Sequence, residues 1–494
     1  MKRIVFAIPA LVLLWLVAAV TSSSSSSSSS SWAAAAAVAA AGVTPRTLRV
    51  DLYHGGNATE ERWSLDRVVV EPLPWPGNPA RPIDDLNLGS YFFEVVDRAS
   101  NRVIYSRGFA SVYGEWEETD EAKQRDRTFS ESLRFPAPAR PVRIAIKKRD
   151  RDNDFREIWS TVVDPADMFV DTSVPPQPAP LLAIQRSGDP ATKVDFLILG
   201  DGYTKEELPK FERDARRLTE ILFAQPPFKE HRGDFNVWAL CPPAAESGIS
   251  RPSTGIHRRS PVGASYDTFG SERYVLTYDN KAFRDIAQFA PYEFVEILVN
   301  GKTYGGGGIF NLYSTVAADS LWAPYIFVHE FGHHFAGLAD EYYTSAVATA
   351  TGRQVEPWEP NATIDLADLK WKDLVTPGTP LPTPWKKAEF ETYSNDIQRR
   401  RREIRKQNRP ESEMDALFVE EREHEEKALG AEAHAGKVGA FEGADYEAKG
   451  YYRPQADCIM FTRDRVPFCA VCRHAIERVI ALYTEGATAP GPAR

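Results

Sequence analysis

WAPYIFVHEFGHHFAGLADEYY, residues Trp322–Tyr343, is the stretch that decides how the rest of this 494-residue chain is read. His329, Glu330 and His333 stand in the order HExxH, behind an apolar run and ahead of Gly337. That run and the glycine stop predict a helix over Pro324–Ala336. At 3.6 residues per turn, positions i and i+4 share a face, so both imidazoles can reach one cation. Glu330 stands about 100° further round the axis, where its carboxylate can act on a water without binding the metal. Zinc suits two neutral imidazoles and a carboxylate, and a catalytic site needs three protein ligands with one open position. A chain reversing at Gly337 would return Asp340 or Glu341 to the metal; we take Asp340 first and Glu341 second. His334, off the shared face, is expected in the outer shell or at the surface.

Outward from this helix, the residues from 191 onward alternate strand and helix patterns. Val194–Leu199 reads as a buried strand, and Thr204 with Glu207 forms a capping box before Leu208, Phe211, Ala215, Leu218 and Leu222 at helical spacing. Phe235–Leu240, Tyr274–Thr277 and Phe294–Val299 are further strand candidates, which makes a mixed α/β domain over residues 191–494. One of these strands, Phe294–Val299, is expected to hold substrate through its main chain. Gly305–Gly308 reads as a flexible turn or as a place where another chain approaches closely. A charged segment around residues 390–430, basic and then acidic about Pro410, reads as a solvated helical hairpin whose arms attract each other.

Before this domain, apolar residues recur with period two. Leu48, Val50 and Leu52 alternate with Arg49 and Asp51, and Val142, Ile144 and Ile146 repeat the pattern. An all-β sandwich-like domain is expected over residues 45–172, with no chemistry of its own, and a proline-rich linker over 173–190. Residues 1–44 begin Met1, Lys2, Arg3, run without charge from Ile4 to Val20, and continue into serine and alanine tracts. They read as a signal peptide or anchor followed by low-complexity chain. The expected location is secreted, periplasmic or at the cell surface, with membrane contact only if that segment stays uncleaved. A formal net charge of −10 disfavours a nucleic-acid partner.

The sequence resembles the IgA peptidase family of secreted bacterial zinc metallopeptidases. The resemblance rests on HEFGH-x-x-x-GLxDEY at His329–Tyr342, GDGYT at Gly200–Thr204, FNVWAL at Phe235–Leu240, SGISRPSTG at Ser247–Gly255 and YGGGGIFNLYST at Tyr304–Thr315. EPLPWPGNP at Glu71–Pro79 and SRGFASVYGEW at Ser106–Trp116 are similar to the N-terminal domain of that family. The resemblance implies a metzincin-like zinc endopeptidase fold with one catalytic Zn2+, acting on protein or glycoprotein substrates, and Met460 as the methionine beneath the metal. The chain departs from the usual metzincin spacing by one extra residue before Gly337, and Ala339 stands where the common form has its third histidine. Cys458, with Cys469 or Cys472, is expected to form a disulfide in an oxidising compartment. The rival reading is a second zinc site from Cys458, Cys469, Cys472 and His474. The implied chemistry is hydrolysis by metal-activated water with Glu330 as the base. The rival functions are a surface adhesin or glycan-binding protein with an inactive peptidase domain, and a zinc amidase of cell-wall peptide.

Overall fold

The computed structural model describes residues 44–345 and 355–486; the expected signal or anchor segment lies outside them. Among the described residues, no helix is long and apolar enough to cross a membrane.

The N-terminal β-rich region is built from β1 (Arg46–Gly56), β2 (Glu61–Pro74), β3 (Tyr91–Asp97), β4 (Arg102–Phe109), β5 (Arg127–Pro136), β6 (Val142–Arg149), β7 (Phe155–Val163) and the short β8 (Val170–Asp171). They form two four-stranded sheets, β5-β1-β2-β8 and β4-β3-β6-β7. Leu48, Val50 and Leu52 from one sheet and Phe93, Val95, Ile144 and Ile146 from the other share one apolar core, as the period-two pattern requires.

The charged partners in that alternation are also buried. Arg49 and Asp51 are 0% exposed, because the outer face of this sheet packs on the α/β region. Arg49 Nη2 lies 2.5 Å and Arg67 Nη2 2.8 Å from Asp285, and Arg134 donates to the Tyr292 carbonyl at 2.9 Å. Alternation of apolar and charged residues therefore marks two buried faces here. The charged face is affordable only because guanidinium and carboxylate meet across the junction.

A short helix, α1 (Val112–Glu117), follows β4. The expected linker over 173–190 is partly structured, because its Leu182–Gln185 forms β9, an edge strand of the main sheet. That sheet has the order β15-β16-β14-β10-β11-β9, with β10 (Val194–Asp201), β11 (Phe235–Leu240), β14 (Phe294–Val299), β15 (Gly306–Ile309) and β16 (Tyr313–Ala317). Strands β11, β10, β14 and β16 run parallel, and both edge strands run antiparallel to their neighbours. Between them in sequence, the two-residue strands β12 (Ala264–Ser265) and β13 (Leu276–Thr277) pair with each other, leaving little of the strand expected over Tyr274–Thr277.

Helix α2 (Leu208–Leu222) buries the predicted Phe211, Ala215, Leu218 and Leu222 face, and the Glu207 carboxylate accepts from the Thr204 amide at 2.9 Å, as a capping box should. Helix α3 (Asn280–Ala287) carries Asp285 to the junction with the β-rich region. The charged segment forms a hairpin of α5 (Lys387–Lys406) and α6 (Glu411–Gly430), numbered after the central helix α4 (Ala323–Ala336). Its arms pair through Arg400–Glu420 and Arg405–Glu411, each at 2.5 Å. It is not simply solvated: Ile397, Ile404, Met414, Leu417 and Phe418 are buried, and Phe418 meets Tyr304 and Trp322. A hairpin of β17 (Phe441–Ala444) and β18 (Glu447–Arg453) and the final helix α7 (Ala470–Thr484) complete the region.

Candidate active site

Helix α4 is apolar nearly all round, and ten of its fourteen residues are buried. A helix of that composition is stable only inside a protein. Pro324 near its start donates no bond the first turn would need. It stops at Gly337, whose φ of +58 lies in the left-handed region. A Cβ there would stand 2.6 Å from the Trp358 ring, so both the backbone and the space select glycine. The reversal brings the Leu338 carbonyl to 2.5 Å from His333 Nδ1 and Asp340 back against the helix.

Three ligand-type atoms then converge. Asp340 Oδ1 lies 3.0 Å from His329 Nε2 and 3.2 Å from His333 Nε2, and the two Nε2 atoms are 3.2 Å apart. His329 Nδ1 sits 2.9 Å from the Ile459 carbonyl. Carbonyls only accept, so both Nδ1 atoms must be the donors, and both neutral rings turn bare Nε2 lone pairs toward Asp340. Three acceptors with no donor among them need a cation or a proton. Ligand atoms about 2.0–2.1 Å from one tetrahedral ion stand about 3.3–3.4 Å apart, so this donor set fits a metal ion almost without adjustment. Burial opposes charge on His333, but Asp340 pulls its pKa up to about 9. Burial likewise opposes the Asp340 charge, yet the two imidazoles hold its carboxylate well below the usual range.

Of the two acidic candidates, Asp340 joins the histidines and Glu341 does not; Glu341 turns the other way, toward three cysteines. Glu330 lines a cavity of about 210 Å³ together with His333, Asp340, Arg273, Tyr274 and Tyr446. Burial raises its pKa above the ordinary carboxylate value. His334 is neither outer shell nor surface. It is fully buried, accepting from the Val295 amide at 3.0 Å and donating to the Ile309 carbonyl at 3.1 Å, which fastens α4 to the sheet. Burial drives its pKa down to about 3, so it stays neutral in this role.

Met460 is buried under α4, its Sδ 3.1 Å from where a Cβ on Gly332 would stand. The backbone around it supports the site from below: Ile459 accepts from His329, and the Glu341 amide donates to the Met460 carbonyl at 2.8 Å. The glycines at Gly305–Gly308 are no flexible turn. Strand β15 contains three of them, and a Cβ at Gly308 would lie 2.4 Å from the Glu330 carbonyl and 3.0 Å from His333 Cβ. The close approach is that of helix α4 of the same chain. Strand β14, expected to hold substrate, is buried throughout and paired on both edges, so it has no edge to offer.

Sequence reasoning missed three residues. The Tyr446 hydroxyl donates to Asp340 Oδ2 from the two-residue turn of the β17–β18 hairpin, where Asp445 and Tyr446 have φ of +50 and +63. Non-glycine residues in that region cost strain and gather at functional places. Asn361 clamps the 339–341 segment: it accepts from the Ala339 amide at 2.7 Å and donates to the Ala339 carbonyl and Glu341 Oε1, each at 3.0 Å. Glu115, on α1, projects into the cavity from the region expected to carry no chemistry. Tyr274 points its hydroxyl at it from 3.4 Å, and burial lifts its pKa to about 7. Tyr446 and Asn361 lie outside the motifs quoted above, and Glu115 lies within SRGFASVYGEW with nothing there to mark its role; each is placed by a contact from a distant part of the chain.

Two imidazoles and a carboxylate facing one point, with a second carboxylate beside them in a cleft, are the makings of a metal-dependent hydrolase. Comparison with known families agrees: the IgA Peptidase M64 family matches residues 182–480, and the Peptidase M64 N-terminus family matches residues 41–160. The chain belongs to the IgA peptidase M64 family, and is therefore a peptidase from a family of metallopeptidases acting on protein substrates. No curated protein matches it.

Proposed function

We propose that the protein is an exported, zinc-dependent endopeptidase of metzincin-like fold, with His329, His333 and Asp340 as metal ligands and Glu330 as general base. The observation that carries this reading is the triangle of bare acceptors 3.0–3.2 Å on a side, both histidine tautomers being fixed from behind by carbonyls. Nitrogen and carboxylate donors in tetrahedral reach favour zinc. When bound, the ion supplies Lewis acidity that acidifies water and polarises a carbonyl.

The chain's own groups do the rest. Glu330 accepts a proton from the attacking water at its carboxylate and delivers it to the leaving amine nitrogen. Its buried position, which raises its proton affinity, suits both halves of that transfer. Tyr446 holds one oxygen of Asp340 so that the other faces the imidazoles. Edge strand β15, pressed on Glu330 and His333, aligns an extended substrate beside the cleft. Export accords with the basic and then apolar N-terminus.

The test is hydrolysis of casein, a glycoprotein and purified peptidoglycan by wild type and Glu330→Gln, with bound zinc measured on both. Wild type should cleave protein, and the variant should keep its metal while losing about 10²–10⁴-fold in rate. Cleavage of the wall alone would favour the amidase, no cleavage the binding protein, and full activity in the variant would remove Glu330 from its role.

A further inference from the structure

Behind the catalytic cluster lies a second one. Cys458, Cys469, Cys472 and Glu341 each offer one ligand atom, and all four atoms lie within 4.8 Å of one another. Cys472 Sγ stands 3.4 Å from Cys469 Sγ, 3.9 Å from Cys458 Sγ and 3.5 Å from Glu341 Oε1. Cys469 Sγ is 4.0 Å from the same oxygen. A disulfide needs its sulfurs about 2.04 Å apart, and all three cysteines are free, so the disulfide expected from the sequence does not form. The structure gathers the three sulfurs of the rival set but not its fourth member: His474 is exposed on α7, and Glu341 stands with the sulfurs instead.

Sulfur ligands about 2.3 Å from one tetrahedral ion stand about 3.8 Å apart, and the sulfurs of Cys469 and Cys458 lie 3.4 and 3.9 Å from that of Cys472. All four residues are buried to at least 97%, and Glu341 Oε2 has no hydrogen-bond partner. A buried carboxylate oxygen left without a donor is costly unless a cation meets it. The surroundings suit anionic sulfur. The amides of Met460 and Cys469 donate to Cys458 Sγ at 3.5 and 3.2 Å, and the Cys472 amide donates to Cys469 Sγ at 3.4 Å at the start of α7. Asn361 fixes Glu341 Oε1, and the buried Arg453 guanidinium adds positive charge next to Glu341 and Cys458.

We propose that Cys458, Cys469, Cys472 and Glu341 form a second, structural metal site that takes one zinc ion as a closed three-sulfur, one-oxygen tetrahedron. Binding replaces the protons that the thiols and the Glu341 carboxyl hold with one ion and releases them to solvent. No position is left for water or substrate, so the role is to tie three segments together: the loop after α4, the Met460 turn and the start of α7. Glu341 follows Asp340 directly, so the same ion anchors the segment that carries the carboxylate of the first cluster. This inference does not depend on the peptidase reading.

The test uses the full chain, purified without chelator. Zinc is counted per chain in wild type and in the His329→Ala/His333→Ala double variant, thiols are counted after denaturation with chelator, and both proteins are substituted with cobalt. The proposal expects two zinc ions in wild type, one in the double variant, four titratable thiols and a thiolate-to-cobalt charge-transfer band in both. Asn361→Ala should weaken retention of the sulfur-bound ion about 10–100-fold. If the double variant does not fold, wild type alone decides. Thiolate-bound cobalt supports the site even at one zinc per chain, in which case it is the first cluster that has failed. A missing thiolate band, or two thiols lost to a disulfide, overturns the proposal.

Discussion

Asp340 and Glu341 are neighbours in the chain, yet they serve opposite sides of one wall. Asp340 faces two imidazoles at the edge of an open cleft, and Glu341 faces three sulfurs in a sealed interior. The first cluster has three donors and leaves space beside Glu330; the second has four and leaves none. On the roles proposed here, openness separates a site that does chemistry from a site that holds shape. The same comparison explains why this segment is clamped so heavily, by Asn361 on the Ala339 backbone and the Glu341 side chain and by Tyr446 on the Asp340 side chain. A rotation of either residue would spoil both clusters.

The comparison can be broken at several points. His333→Ala should have the largest effect, at least about 10³-fold in hydrolysis, while the ion of the sulfur cluster and most of the thermal stability remain; loss of both ions together would show that the clusters are not separable. Tyr446→Phe should weaken zinc at the open cluster by about 10–100-fold, with kcat recovering in excess zinc. Unrecovered kcat would move Tyr446 from positioning Asp340 to touching substrate. Glu115→Gln is expected to be mildest, less than about tenfold in kcat/KM. Its folded pKa is raised to about 7 by burial, so the native state favours the protonated form and stability falls as pH rises from about 4.5 through 7. The glutamine should therefore raise Tm at pH 8 and not at pH 4.5, and it should flatten any inflection of KM near pH 7. Equal Tm gains at both pH values would contradict that assignment.

Much of the open cluster was legible because its logic is local. Helix periodicity aligned His329 with His333, and Gly337 announced the reversal that returns Asp340. The sulfur cluster was half legible: three cysteines gathered near the C-terminus were visible, but their partner lay more than a hundred residues away, next to a residue already given another task. The expectation of an oxidising compartment argued for a disulfide, and nothing in the spacing revealed a carboxylate among the thiols. The β-rich region was legible as paired strands, but what its charged face meets was not, for a related reason. Arg49 and Asp51 alternate with apolar residues yet are buried, Arg49 against Asp285 and Asp51 against Arg67 and Ser132. Glu115 escaped because a helix of six residues delivers it into a cavity formed by the other end of the chain. Sites made by one element were readable; sites made where distant elements meet were not.

The most direct test of the central claim is an anomalous-difference map from crystals measured on either side of the zinc absorption edge. The account predicts a peak bonded to the Nε2 atoms of His329 and His333 and to Asp340 Oδ1, with the Glu330 carboxylate outside bonding distance. A peak that takes Glu330 as a ligand, or no peak between these histidines in protein that cleaves its substrate, would contradict it.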